Sequence, residues 1–585
     1  MTRRACRATL AAMAAAGLLA RLGYVLAQRA HDPGFARPIL DGAVYVDQAA
    51  KILAGRPWPP GAFYLAPLYP FVVAGVFRTI GPSFAGLYLL QHAAIVATAL
   101  ALAAVARRHA GESAGLASGA LVLLYHPLLF FASRPLGESV ALLALAGSLL
   151  LASRGDRGAF GAGVAAGLAS LARPNLLLVP AVWGAREAQL RRWRRVIALA
   201  GGTALVVLPV TLRNVVVSGH LVAVSSNGGI TLYHGNGPGA SGIYTPPDGF
   251  SGDVALQQDE ATSLARARSG RALDAVEADR WWGRQAWGAR LADPTGTARL
   301  AAKRGLLLLD DYEHALDEAP ESDDNPWRLT APVGFGWLLG LAAAGVALVG
   351  FRGTGGGIVW GALAATAVAP LAFYVSSRYR LPLALVLTVP AGIGAATLAR
   401  GDLDLRKRLG AGAIGAAFLA LSLLIPSARL ARLEEATTAA NRASLLRWAG
   451  DLPRAEAEAR RALALDASSV AARYNLGVIL EAEGREVDAE AAYREVLSID
   501  PGSAEAAGNL GKMLILRGEA SAAIPILEGA VARRPGHEAC WTNLVLALVV
   551  LKRFPEAAER ADAALRAGVR LDPEVVAAAH GGGAP

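Results

Sequence analysis

PILDGAVYVDQAAKILAGRPWPPGAFYLAPLYPF, residues 38–71, breaks an otherwise apolar N-terminal half with two carboxylates, Asp41 and Asp47. Their background is aromatic and aliphatic, and the stretch follows directly on the first hydrophobic run. Asp41 stands just before AVYVDQAAKILA, where a helix N-cap would sit, so one reading is a surface loop whose carboxylates only cap a helix. What surrounds the stretch decides between that reading and a chemical one.

The surroundings are those of a membrane protein. Of 585 residues, 54% are hydrophobic and 18% charged, against about 25% charged in a soluble domain, and the mean hydropathy is +0.38. The net charge of +10 is unevenly spread: residues 427–585 hold 19 Lys+Arg and 22 Asp+Glu, or −3, leaving +13 for the remainder. That excess lies beside apolar runs, where cytoplasmic loops collect arginine, and nucleic acid is not an expected partner. Cys6 and Cys540 are too few and too far apart for a disulfide framework or a metal cluster. The basic, then apolar start MTRRACRATLAAMAAAGLLA has the form of a signal peptide, but the many later runs favour an uncleaved first span.

Apolar runs of about span length fall at 8–28, 85–106, 113–132, 136–152, 158–172, 175–190, 195–213, 331–351, 355–375, 381–399 and 409–426. With the N-terminus inside, these eleven put Arg3-Arg4, Arg107-Arg108, Arg154 and Arg157, the RRWRR run and Arg406-Lys407-Arg408 all on the cytoplasmic side. The same parity makes LYPFVVAGVFRTI (68–80) an interfacial or re-entrant helix and requires a turn at Arg173-Pro174-Asn175, where proline disfavours helix for the residue before it. Residues 29–84 are then the first extracytoplasmic loop and 214–330 a large extracytoplasmic insertion. The insertion opens with SSNGGITLYHGNGPGASGIY, which reads as turns and strands, and contains Trp281, Trp282 and Trp287, suited to interfacial anchoring or to stacking on sugar.

After a linker at 427–440, a 34-residue period governs residues 441–585: Asn441, Asn475, Asn509 and Asn543; Gly450, Gly484 and Gly518; Ala455, Ala489, Ala523 and Ala557. It resembles tetratricopeptide repeats, in which small residues let paired helices approach and neighbouring repeats stack into a solenoid. The resemblance implies an α-solenoid of about four repeats with a protein or peptide partner, placed outside the membrane by the span count.

Residues 1–426 resemble the GT-C glycosyltransferases that use polyprenyl-phosphate sugars, the group of the protein O-mannosyltransferases and the lipid A aminoarabinose transferases. An acidic residue after the first helix, a short amphipathic helix and a P-L-Y-like segment carry the resemblance; here these are Asp41, Tyr45 to Leu53, and Pro67-Leu68-Tyr69-Pro70. The resemblance implies a mainly α fold, a polytopic bundle carrying a mixed insertion. It also implies an enzyme of the cytoplasmic membrane that moves a hexosyl or pentosyl group, with inversion, from a lipid-linked donor to an extracytoplasmic hydroxyl. Asp41 would be the base, with Asp47 as the alternative and Tyr45 and Tyr69 in support. Such chemistry needs a base for the acceptor proton and cations for the departing phosphate. Arg134, Arg173, Arg378 and Arg380 fall at the outer face, where snorkelling to headgroups is the plain alternative. Glu138 either orients one of them or caps its helix, and Asn227, His234 and Asn236 are candidate acceptor contacts. The loop contains no D-x-D, so neither a catalytic metal nor a cofactor is expected. A transporter of lipid-linked saccharide and a membrane-anchored scaffold are the competing readings. Spans nearly free of ionisable residues speak against the first, and the number of spans against the second.

Overall fold

The computed structural model describes residues 3–244, 250, 254–316, 318–350, 353–400 and 403–581. Parts of the expected insertion (245–249, 251–253 and 317), the end of the expected span at 351 and the last four residues of the repeat segment lie outside the described residues. The described chain is mainly α and forms two compact units, one of residues 1–245 and 279–431, the other of 246–278 and 432–585.

The first unit begins with α1 (Arg3–His31), α2 (Leu40–Leu53), α3 (Leu68–Ile80), α4 (Phe84–Ala110), α5 (Glu112–Leu124) and α6 (His126–Phe131). It continues with α7 (Glu138–Ala152), α8 (Asp156–Ala172), α9 (Leu178–Gln189), α10 (Trp193–Ser218) and α11 (Gly228–Asn236). The chain then runs through α12 (Gln257–Ser269), which belongs to the second unit, and α13 (Ala275–Ala292) into α14 (Pro294–Leu309). It closes with α15 (Phe335–Val349), α16 (Gly353–Ala372), α17 (Ser377–Leu398) and α18 (Leu405–Leu424). Among the described residues each apolar run of the sequence is mostly helical, and five of these helices, α1, α4, α10, α17 and α18, are long and apolar enough to cross a membrane. The expected span 113–132 is interrupted at Tyr125. There Val333 inserts, its N–H bonded to the Leu124 carbonyl (2.9 Å) and its carbonyl to the His126 N–H (3.3 Å). Large apolar side chains point outward along α10, Leu205 at 62% and Val216 at 82% exposure, a surface suited to lipid rather than water. The unit is thus a multi-pass membrane bundle. Small residues bring its helices together: a Cβ on Gly163 would fall on the Leu199 carbonyl across α10, and one on Gly202 on the Phe160 carbonyl of α8.

The expected turn at Arg173-Pro174-Asn175 is present. Arg173 is extended (φ −145°, ψ 102°), a 3-10 turn spans Pro174–Leu177, and α9 follows. The stretch expected as turns and strands differs: residues 228–236 form α11, and among the described residues no strand forms there. Gly229 and Gly235 serve close approach within the helix, whereas Gly239 and Gly242 turn the chain after it at φ of 78° and 96°. A Cβ at Gly229 would land on the Asp279 carbonyl of α13, and one at Gly235 on the Phe373 carbonyl beyond α16. The Asp279 carboxylate accepts the Ile230 N–H (2.9 Å) and so serves an otherwise unpaired donor of the helix start.

The second unit holds the repeats. Residues 427–440, expected as a linker, are largely helical within α19 (Ala428–Trp448), which pairs with α20 (Leu452–Leu465). The pairs α21 (Val470–Ala482) with α22 (Glu486–Ile499), α23 (Ala504–Leu516) with α24 (Ala520–Arg533) and α25 (Glu538–Val550) with α26 (Phe554–Arg566) follow, closed by α27 (Pro573–Ala579). Gly450, Gly484 and Gly518 turn the first three pairs at φ of 84°, 75° and 85°, a region open to glycine at little cost, and Lys552 takes the same position in the fourth at φ 59°. The recurring alanines are fully buried. The recurring asparagines tie one repeat to the next: Asn475 Nδ2 donates to the Ala440 carbonyl (2.8 Å) and Asn543 Nδ2 to that of Gly508 (2.9 Å).

Gly229→Ala and Gly235→Ala should each lower stability by about 1–3 kcal/mol, as overpacking does, read as a drop in Tm of the detergent-solubilised protein. Gly305→Ala, in an open helical position, should hold or raise it. An unchanged Tm in the first two variants would show that α11 is not clamped between α13 and the end of α16.

Candidate active site

Three helix ends and the first loop meet at one cavity of about 370 Å³. α2 brings Asp41 and Tyr45, the start of α7 brings Glu138, the α8–α9 turn brings Arg173 and Asn175, and the start of α17 brings Arg378 and Tyr379. Ser225, Asn227 and Thr231, before and within α11, complete its polar lining.

Asp41 does not cap its helix. α2 begins at Leu40, the N-cap position is Ile39, and no side chain caps it. Leu40 has φ of 51°, a conformation uncommon for a residue with a Cβ. Strain of this kind persists where the surroundings over-determine the backbone, and here it lies directly before Asp41. Its Oδ2 accepts from Arg378 Nη1 at 2.8 Å. Arg378 Nε in turn donates to Glu138 Oε1 at 2.7 Å, and Arg173 Nη1 donates to the same oxygen at 2.6 Å. Asp41, Arg378, Glu138 and Arg173 therefore form one chain of ion pairs along the cavity wall. Glu138 is 2% exposed, and its other oxygen, Oε2, has no hydrogen-bond partner. The Arg173 guanidinium also lies over the Tyr379 ring, 5.4 Å from its centroid. Ser376 fastens the start of α17, its hydroxyl accepting the Tyr379 N–H (3.3 Å). Tyr45 packs edge-on against Tyr69 (5.3 Å); burial, reinforced by the Asp41 carboxylate, raises its phenol pKa and keeps it protonated. Tyr69 stands behind it, fully buried, with its hydroxyl on Gln91 (2.5 Å).

Several expected site residues lie elsewhere. Asp47 is on the outer side of α2, its side chain 57% exposed and paired with Lys51 at 2.5 Å. Arg134 is held by Glu318 (2.5 Å) and Asp32 (3.4 Å) over the Phe130 ring. Arg380 is fully buried. It bonds the Glu313 carboxylate (2.8 Å), the Tyr312 carbonyl (2.9 Å) and the Asp310 carbonyl. Two residues apart on a helix, Arg378 and Arg380 point about 200° from each other, so only one can face the cavity. His234 and Asn236 do not line it. Asn236 bonds the Ala372 carbonyl (2.8 Å) and Arg304 (3.1 Å), and His234 is buried edge-on to Tyr244 (5.2 Å). Asn175, expected only as part of the turn, and Tyr379, which stands between the two expected arginines 378 and 380, are further lining residues.

The tetratricopeptide repeat family model matches residues 441–504. Among solved structures, the chain is similar to YrrB, a TPR protein with an unusual peptide-binding site, at 23% identity and a TM-score of 0.22, covering 24% of this chain and 73% of that one. It is similar to MamA at 21% identity and a TM-score of 0.22, covering 28% and 95%. It is also similar to the archaeal oligosaccharyltransferase AglB from Archaeoglobus fulgidus, in complex with an inhibitory peptide and a dolichol-phosphate, at 12% identity and a TM-score of 0.39. That likeness covers 73% of this chain and 58% of AglB. No curated protein matches the sequence.

Burial pushes the His234 imidazole down to about 4, below an ordinary value of about 6.5. A folded pKa depressed in this way contributes stability that is complete above about 6.5 and is lost as the pH falls toward 4. The Tm in detergent should therefore fall between pH 6.5 and 5, and His234→Leu should flatten that fall. An equal slope in both proteins would assign the titration to another group.

Proposed function

We propose that this chain is a membrane glycosyltransferase that moves a sugar from a polyprenyl-phosphate donor to a hydroxyl acceptor, with inversion. The supporting observation is the junction of Asp41 with Arg378, Glu138 and Arg173 in a single cavity at the ends of membrane helices. The donor already carries its leaving group, so two kinds of side chain suffice. Asp41 takes the proton of the acceptor hydroxyl as its oxygen attacks the anomeric carbon. The bond from that carbon to the phosphate oxygen breaks, and the phosphate leaves with the electron pair. Arg173 and Arg378 hold the departing phosphate, a role in which a positioned guanidinium is most effective as charge develops.

The resting arrangement implies an order of events. Arg378 occupies Asp41, so an incoming phosphate that draws Arg378 toward itself frees the carboxylate as the donor seats. Glu138 keeps both arginines at the cavity wall throughout. Each carboxylate already carries a guanidinium, and the reaction as proposed uses no metal ion. The Asp41 cavity and the repeats would face outward from the cytoplasmic membrane, as the arginine distribution of the spans requires. The repeats would hold a protein or peptide partner.

With purified protein and short-chain polyprenyl-phosphate hexose and pentose donors, Asp41→Asn should lower kcat about 100-fold or more and retain donor binding. Asp47→Asn should stay near the parent, because its carboxylate faces away from the cavity. The reverse ranking would move the base to Asp47, and full activity in both would remove this loop from the chemistry.

Deletion of 441–585 should leave transfer to a soluble acceptor analogue within about twofold while lowering modification in cells, where recruitment raises local concentration. Equal losses in the two assays would overturn the recruitment role.

A further inference from the structure

We propose that the opposite ends of the same helices hold the headgroup of an anionic phospholipid. α7 runs from Glu138, at the Asp41 cavity, to Ala152, and α8 returns from Asp156 to Ala172. At 1.5 Å per residue, α7 carries the chain about 22 Å, most of the thickness of a bilayer's hydrocarbon core. At that far end lies a second, smaller cleft of about 40 Å³, between α8, α9, α10 and the start of α16. Its floor is apolar, formed by Ala159, Ala162, Leu199 and Ile358, and its mouth carries Arg186, Glu187 and Arg195.

The mouth is organised around a buried carboxylate. Glu187, 8% exposed, pairs with Arg186 at 2.6 Å and with Arg192 and Arg195 at 3.5 Å each. Arg195 also pairs with Asp156. Three guanidiniums therefore face two carboxylates, an excess of one positive charge over an apolar slot. Arginines that serve only to orient a membrane protein can extend into water, whereas these three are turned inward onto one acid. Arg154, Arg157, Arg191 and Arg194 stand exposed around them. Trp193 and Ile197, at 59% and 70% exposure, place the mouth at a lipid boundary, since tryptophan favours the headgroup level. A phosphodiester matches the unpaired charge and bonds readily to guanidinium forks. An acyl chain can pack against the exposed Trp193 and Ile197 beside the mouth, contacts that a free phosphate could not use.

Native mass spectrometry of the full chain, titrated with phosphatidylglycerol or phosphatidylcholine of the same acyl chains, tests this site. Phosphatidylglycerol should be retained preferentially. Arg186→Gln with Arg195→Gln should cut its retention about 30-fold. Glu187→Gln removes no arginine and adds one net positive charge, so it should strengthen retention; a merely structural cluster would weaken in both variants. Equal retention of the two lipids by the parent protein would overturn the proposal. So would competition by millimolar inorganic phosphate, or weaker lipid retention in a Glu187→Gln protein with parental Tm.

Discussion

A single buried carboxylate governs the first unit. Glu138 sits at the start of a membrane helix with almost no exposure, where an unpaired charge would cost several kcal/mol. Its compensation comes from Arg173, at the α8–α9 turn, and from Arg378, at the start of α17. Satisfying one acid thus fixes three helix ends that are 35 and 240 residues apart in the chain. Asp41 is drawn to the same junction through Arg378, and the strained Leu40 beside it is the backbone's concession to that position.

The second of the two arginines at the start of α17 makes the first one useful. Arg380 is consumed by Glu313 and by backbone carbonyls of the 310–314 segment. The Ser377 N–H bonds the His314 carbonyl at 2.6 Å. The start of α17 is therefore pinned from outside while Arg378 turns inward. α11 does comparable work on the opposite wall, clamped at Gly229 and Gly235 so that Asn227 and Thr231 reach the cavity. A cavity assembled from such remote pieces keeps its geometry only while each piece is held, the support a positioned catalytic group requires.

In the repeats the constraint is local and recurrent. The first three pairs of helices turn at a glycine with positive φ and the fourth at Lys552, and the pairs pack through buried alanines and bond their neighbours through asparagine side chains. Energetics of this type are close to nearest-neighbour. The period alone therefore specifies the arrangement, and nothing comparable holds in the membrane unit.

The contrast marks what the sequence determined unaided. Helical apolar runs, the break before Pro174, the carboxylate-bearing loop and the 34-residue period all follow from local rules: hydrophobic length, backbone restriction and repeat spacing. Tertiary structure decided the rest. Four arginines looked equivalent by position, yet Arg134 is claimed by Asp32 and Glu318, Arg380 by Glu313, and only Arg173 and Arg378 reach the cavity. The first part of the glycine-rich run is a helix whose Gly229 and Gly235 press against Asp279 and Phe373, partners that no local pattern announces. Residue type tells which groups can carry charge or bend a chain; which of them share one buried acid depends on distances set only when the helices pack.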